Sequence, residues 1–185
     1  MPLKEINIDE VTYFDLNNQV NIPKNNQIQL DKDQEALDAF LKENVWPNVL
    51  KFDSLAQRFD WLFDNQFIER EFIAQYDLSF IEKLYAYLEG EHFNFKSFMA
   101  AFKFYNQYAL KTNDGQYYVE TYVDRVAMNA LYYANGQESL ALKLADEMIH
   151  QRYQPATPSF LNAGRARRGE LVSCFIIQTS DDMNS

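Results

Sequence analysis

The residues with the most chemistry to offer lie toward the C-terminal end. Cys174, the single cysteine, stands between Ser173 and Phe175. Its thiol has two readings: a small, inert hydrophobe in a core, or a redox group that meets a second cysteine from farther along a longer polypeptide, since a two-electron reduction needs two thiols. Thr157 precedes Pro158, which biases it toward extended backbone and suits it either to a cavity wall or to an ordinary loop. Ser173 places a hydroxyl in an apolar run, where it must find a partner that a nearby backbone group can supply. Arg165, Arg167 and Arg168 crowd a Gly-bounded stretch and fit equally a phosphate, through charge-assisted hydrogen bonds, or pairing with acidic helices. Ser180-Asp181-Asp182 has the make-up of a helix N-terminus, where a carboxylate stabilises free N–H groups.

Composition bounds the rest. In 185 residues, 47% hydrophobic and 16% aromatic with 15 Phe and 12 Tyr, there is material for a sizeable core and none of the signature of disorder. The net charge of −10 argues against nonspecific affinity for nucleic acid or an anionic membrane. With one cysteine and two histidines, His92 and His150, neither an intramolecular disulfide nor a zinc site is expected. The opening residues lack the apolar stretch of a signal peptide and no run approaches a membrane span, so a reducing, cytoplasmic setting fits.

Three regions follow from the patterning. Residues 1–32, rich in Asn and Gln with Pro23, read as an irregular arm. Residues 33–153 carry helical stripes. Leu37, Phe40, Leu41 and Val45 run up to Pro47, and Leu55, Phe59 and Leu62 follow Ser54. Ser79 and Glu82 have capping-box spacing ahead of a helix that Gly90 ends. Phe98 to Ala109 forms a further stripe, Asn113-Asp114-Gly115 a turn, and Val123 to Leu131 and Leu140 to Met148 two more helices separated by Gly136. Residues 154–185 change in texture. Two prolines mark a loop at Gln154–Pro158, and Leu171-Val172-Ser173-Cys174-Phe175-Ile176-Ile177 reads as a strand buried on both faces.

Singly unspecific, these features together match a family. Pro155 through Gly164, then Arg168 through Cys174, and Asp182-Met183-Asn184-Ser185 closely resemble class Ib ribonucleotide reductase large subunits; Phe98 through Tyr105, Leu110-Lys111-Thr112, Asp114-Gly115 and Asp124-Arg125-Val126 resemble the helical domain of the same family. The resemblance is clear from about residue 93, fair over 30–92 and weak before that.

It implies a mainly α chain: a helical amino-terminal domain, then the first strand of a ten-stranded α/β barrel that is truncated here. Such enzymes reduce ribonucleoside diphosphates to deoxyribonucleoside diphosphates, precursors for DNA synthesis, by thiyl-radical chemistry. By the same match Cys174 is one of two reducing thiols, Thr157, Ser173 and Cys174 line the substrate site, and Asp181 belongs to the site of an allosteric effector, ATP or a deoxynucleoside triphosphate. The arginines receive no family role. Class Ib resembles class Ia with much of the regulatory ATP-binding cone absent, so overall activity control by ATP and dATP stays open.

The implied partners are the remainder of the large subunit, a second large subunit in a homodimer, a small subunit holding a dimetal (Mn or Fe) tyrosyl radical, an accessory flavoprotein and a thioredoxin- or glutaredoxin-like reductant; no cofactor or metal is expected on this chain itself. Because the radical cysteine, the second reducing cysteine and the barrel are missing from these residues, the chain alone is expected to be inactive and to expose apolar surface near 171–177. The competing reading is a noncatalytic acidic helical module of the same ancestry that binds another protein.

Overall fold

The computed structural model describes residues 12–20, 22, 27–174 and 176. The chain folds into two compact units, passing from one to the other after Lys51, Phe93 and Tyr122. Among the described residues the regular elements are helices with a few isolated β-bridges, the mainly α architecture expected. No helix among them is long and apolar enough to cross a membrane.

The first unit holds α1 (Tyr13–Gln19), α2 (Leu30–Phe40) and α6 (Phe98–Lys103). Thr12 and Asp15 close a capping box on α1. α2 does not stop cleanly before Pro47. It widens into a π turn over Leu41–Val45 and tightens into a 3₁₀ turn at Trp46–Asn48, whose first positions can accept Pro47 because its missing N–H would find no intrahelical acceptor. α6 passes into a second π turn, Phe104–Tyr108. Rings interlock between these helices: Phe40 meets Phe98 edge-on at 5.8 Å and Phe102 at 5.6 Å between centroids. The Asn113-Asp114-Gly115 turn forms as expected, with Thr112 O accepting from Gly115 N at 2.8 Å and Gly115 at φ 72°, and it returns the chain to pair Tyr118 with Val49.

The second unit holds α3 (Leu55–Asp64), α4 (Arg70–Ile73), α5 (Leu78–Gly90), α7 (Tyr122–Ala134, in this unit from Val123), α8 (Glu138–Ile149) and α9 (Thr157–Asn162). Ser54 caps α3, its Oγ accepting from Gln57 N at 3.2 Å. Most of the stripes read from sequence form the core: Leu62, Ile81, Leu84, Leu88, Val126, Ala127, Leu131 and Met148 are buried, whereas on α8 Leu140 and Leu144 are only half-buried and Ala141 and Ala145 are buried in their place.

Residues 1–32, read as an irregular arm, hold α1 and the first residues of α2 among their described members, the Thr12–Asp15 capping box being the local signal for α1, and three further local expectations change. The capping box at Ser79 and Glu82 is not used, because α5 opens two residues earlier, with extended Asp77 at its N-cap and Ser79 already inside the first turn. The proline-rich loop is shorter than expected. Pro158 lies in the first turn of α9, where its absent N–H breaks no intrahelical bond. The described members of the expected barrel strand, Leu171 to Cys174 and Ile176, belong to no β-ladder; extended backbone becomes a strand only where a neighbour supplies the facing N–H and C=O groups. Nor are they buried on both faces, Val172 being 52% and Ile176 101% exposed, in keeping with the apolar exposure expected there.

Candidate functional site

The site candidates depend on α9, a helix too short to stand by its own hydrogen bonds. With six residues it closes few backbone hydrogen bonds of its own, Ala163 N to Ser159 O at 3.2 Å being one of them. Side chains of α7 supply donors instead. Arg125, Asn129 and Tyr133 recur every fourth residue, which places them along one flank of that helix beside the apolar stripe. Arg125 Nη2 donates to the carbonyl of Ala163, Asn129 Nδ2 to Phe160 O at 3.0 Å and to Arg125 O at 2.8 Å, and Tyr133 Oη to Ser159 O at 3.2 Å. Arg125 and Asn129 are both 0% exposed, so each buried polar contact here is costly to break.

The turn after α9 is fixed as firmly. Gly164 has φ +73°, and a Cβ there would lie 2.6 Å from Phe72 Cζ, so only a hydrogen side chain fits. Its carbonyl accepts from Glu69 N at 2.9 Å, Ala166 N donates to Phe67 O at 3.1 Å, and Ile68 and Arg165 form an antiparallel bridge. The arginines settle along this seam. Arg167 Nη2 donates to Gln66 Oε1 at 2.9 Å, and Arg168 Nε reaches Glu69 Oε1 at 3.2 Å, a bond that pushes the guanidinium pKa upward. Arg165 is buried.

From this base the chain doubles back. Ser159 Oγ donates to Leu171 O at 2.7 Å and Asn162 Nδ2 to Glu170 O at 2.9 Å. Thr157, exposed at the first position of α9, and Ser173 and Cys174, exposed beyond Leu171, therefore sit on two segments joined by the Ser159–Leu171 bond. Asp181 lies outside the described residues. Two clefts elsewhere, about 170 Å³ around Tyr13, Asn44 and Tyr118 and about 300 Å³ around Phe59, Phe63 and Ile73, include none of the expected site residues. Sequence reasoning missed Asn129, Arg125 and Tyr133; the available signal was an Asn and an Arg one helical turn apart beside the apolar stripe of α7.

Comparison with known proteins fits this arrangement. Residues 13–93 match the ribonucleotide reductase N-terminal family, and residues 94–168 the ribonucleotide reductase all-alpha domain. The ribonucleoside-diphosphate reductase subunit alpha of Bacillus subtilis is 44% identical over 172 residues, 93% of this chain and 25% of that protein. Its namesake in Mycoplasma pneumoniae is 45% identical over 153 residues, 83% of this chain and 21% of that protein, and that of Mycoplasma genitalium 42% over 177 residues, 96% and 24%. The chain belongs to the ribonucleotide reductase family and contains its N-terminal and all-alpha domains. It spans about a quarter or less of the length of these curated relatives.

Proposed function

We propose that this chain serves as the amino-terminal part of a class Ib ribonucleoside-diphosphate reductase alpha subunit and contributes one wall of its substrate site. The observation that carries the reading is the Ser159–Leu171 hydrogen bond of 2.7 Å, which ties the Thr157 segment to the Ser173–Cys174 segment. In this reading Thr157 and Ser173 hydrogen-bond a ribonucleoside diphosphate, residues 154–185 begin the catalytic barrel, and Asp181 belongs to the effector site for ATP or a deoxynucleoside triphosphate.

The reduction divides between residues of this chain and residues beyond it. A thiyl radical on a cysteine outside these residues takes the ribose 3′ hydrogen and gives it back at the end of the cycle, and the 2′ hydroxyl leaves as water with a proton from the thiol pair. The two electrons come from Cys174 and a second cysteine, whose S–H bonds are lost as one S–S bond forms. A thioredoxin- or glutaredoxin-like protein then reduces that disulfide. The radical originates in a small subunit with a dimetal tyrosyl centre, and the assembly is a cytoplasmic alpha homodimer.

Completing the chain with the remainder of an alpha subunit tests the proposal. Diphosphate reduction should appear on completion, vanish in Cys174→Ala without loss of assembly, and be absent from the isolated chain. Normal turnover by Cys174→Ala, or reduction by the isolated chain, would overturn it, and a completed subunit that assembles without reducing diphosphates would leave the interaction-module reading standing.

A further inference from the structure

We infer that Asn129 and Tyr133, together with Arg125, are positioning residues for the nucleotide, setting substrate affinity by holding the carbonyls of α9 from α7. The inference deepens the reading above and rests on it.

The geometry runs in one direction. α9 has no side-chain cap at its N-terminus, where Ala156 is the N-cap, and six residues do not sustain a helix by propensity. Its orientation is therefore set by contacts from outside. Three come from one flank of α7 and end on the carbonyls of Ser159, Phe160 and Ala163. Ser159, held through its carbonyl by Tyr133, uses its own hydroxyl to hold Leu171 O. A shift of α9 on α7 thus moves Thr157 at its first residue and, through Ser159, the segment that leads to Ser173 and Cys174. None of the three α7 residues needs to touch the nucleotide.

Asn129 is the centre of the ladder because one amide nitrogen serves two carbonyls, Arg125 O within α7 and Phe160 O across to α9. Asn129→Asp keeps the shape and replaces both donors by an acceptor facing carbonyl oxygens, whereas Tyr133→Phe removes a single bond at a half-exposed position and leaves the helix packing in place. Leu131→Ala serves as the control, since it opens a cavity on the same helix and leaves all three α9 contacts intact.

The experiment uses the alpha subunit completed by its missing remainder, with cytidine 5′-diphosphate as substrate, and amide hydrogen exchange over residues 157–171. Asn129→Asp should speed exchange in that segment and raise KM about tenfold with kcat held within about twofold, the pattern of lost ground-state binding. Tyr133→Phe should move both readouts the same way by about twofold to threefold, which keeps the test available if Asn129→Asp does not fold. Leu131→Ala should lower the unfolding temperature and leave KM unchanged. Faster exchange at 157–171 with KM unmoved, or a KM rise in Leu131→Ala equal to that in Asn129→Asp, defeats the inference and leaves the functional reading intact. Absence of turnover in the completed wild-type subunit defeats both.

Discussion

Gly164 sits against the ring of Phe72 so closely that a Cβ on it would approach Cζ to 2.6 Å and Cε1 to 2.8 Å. The contact fixes where α9 ends relative to α4, and it coincides with a left-handed backbone, φ +73°. Gly164→Ala meets both penalties, the strained φ and the collision with a buried ring, and should destabilise the chain by about 2–4 kcal/mol. Denaturant unfolding checks this. Adding Phe72→Leu should return part of the loss, because only the collision and not the backbone strain is relieved; an unchanged midpoint in Gly164→Ala would mean that the turn is not held against α4.

A buried ion pair joins α3 to α7. Arg58 Nη1 pairs with Asp124 Oδ1, with the two side chains 9% and 13% exposed, and the same nitrogen donates to Tyr85 Oη at 3.1 Å. At such burial, losing one partner leaves the other charge in a poor solvent. Asp124→Asn should therefore cost about 3–5 kcal/mol, whereas replacing both partners together with Met and Leu should cost far less. The two unfolding free energies, measured side by side, decide it: single and double variants equally unstable would show that the pair contributes nothing beyond volume.

α5 and α8 are joined at a pH-sensitive point. Tyr87 Oη donates to Asp146 Oδ1. That bond pushes the Tyr87 pKa up to about 12 and is the largest cause holding Asp146 below its ordinary 3.8, with Arg152 adding to the lowering. For Tyr87, the folded value exceeds the unfolded one, so its contribution is complete below pH 10 and lost as pH rises through about 12. For Asp146 the folded value is depressed, so its contribution is complete above 3.8 and lost as pH falls through its lowered value. Tyr87→Phe should accordingly be less stable than wild type by a constant margin from about pH 5 to 9, and the margin should shrink on both sides. The margin is the right readout because Tyr13, Tyr76, Tyr118 and Tyr133 are also raised, mainly by burial. Thermal unfolding across the pH range gives it, and a margin that stays flat beyond pH 11 would assign the Tyr87 shift elsewhere.

Helical stripes were legible in the sequence because burial of one face imposes a period of 3.6: Phe59 and Leu62 of α3, Leu84 and Leu88 of α5, Val126 and Leu131 of α7 and Met148 of α8 are in the core, while Leu55, Val123, Leu140 and Leu144 are half-buried. Local signals with two solutions were less so. Either Asp77 or Ser79 can cap α5, and only the tertiary packing of the helix chooses. Pro158 says where a helix cannot continue but equally marks where one can begin. At the site, the residue types of Thr157, Ser173 and Cys174 drew attention to their segments. The residues that hold those segments did not, because Asn129 finds its acceptor at Phe160, 31 positions away, and no local pattern encodes a partner at that distance. The strand expected over 171–177 is not realised among its described residues for a related reason: its pairing depends on hydrogen-bonding groups that a local run of apolar residues does not contain.

Cys174 gives the most direct access to the question of what covers this end of the chain. Its side chain is exposed and in no disulfide, and its described apolar neighbours Val172 and Ile176 are 52% and 101% exposed. An accessible thiol reacts with an aromatic disulfide reagent at a rate within about an order of magnitude of a small-molecule thiol, while a buried one waits for unfolding. In the native isolated chain, labelling should reach one thiol per polypeptide without denaturant. Val172→Asp should reduce self-association on sedimentation and leave the labelling rate unchanged, since it removes exposed apolar surface without touching the sulfur. Completing the alpha subunit should then slow labelling by at least about tenfold, because the same apolar side chains that are bare in the isolated chain become the contact surface that shields the sulfur from bulk reagent. Bound cytidine 5′-diphosphate should slow it further, as a ligand seated over Thr157 and Ser173 obstructs the approach that remains. Labelling of the completed subunit at the rate of the isolated chain, with and without nucleotide, would place the thiol outside the substrate site.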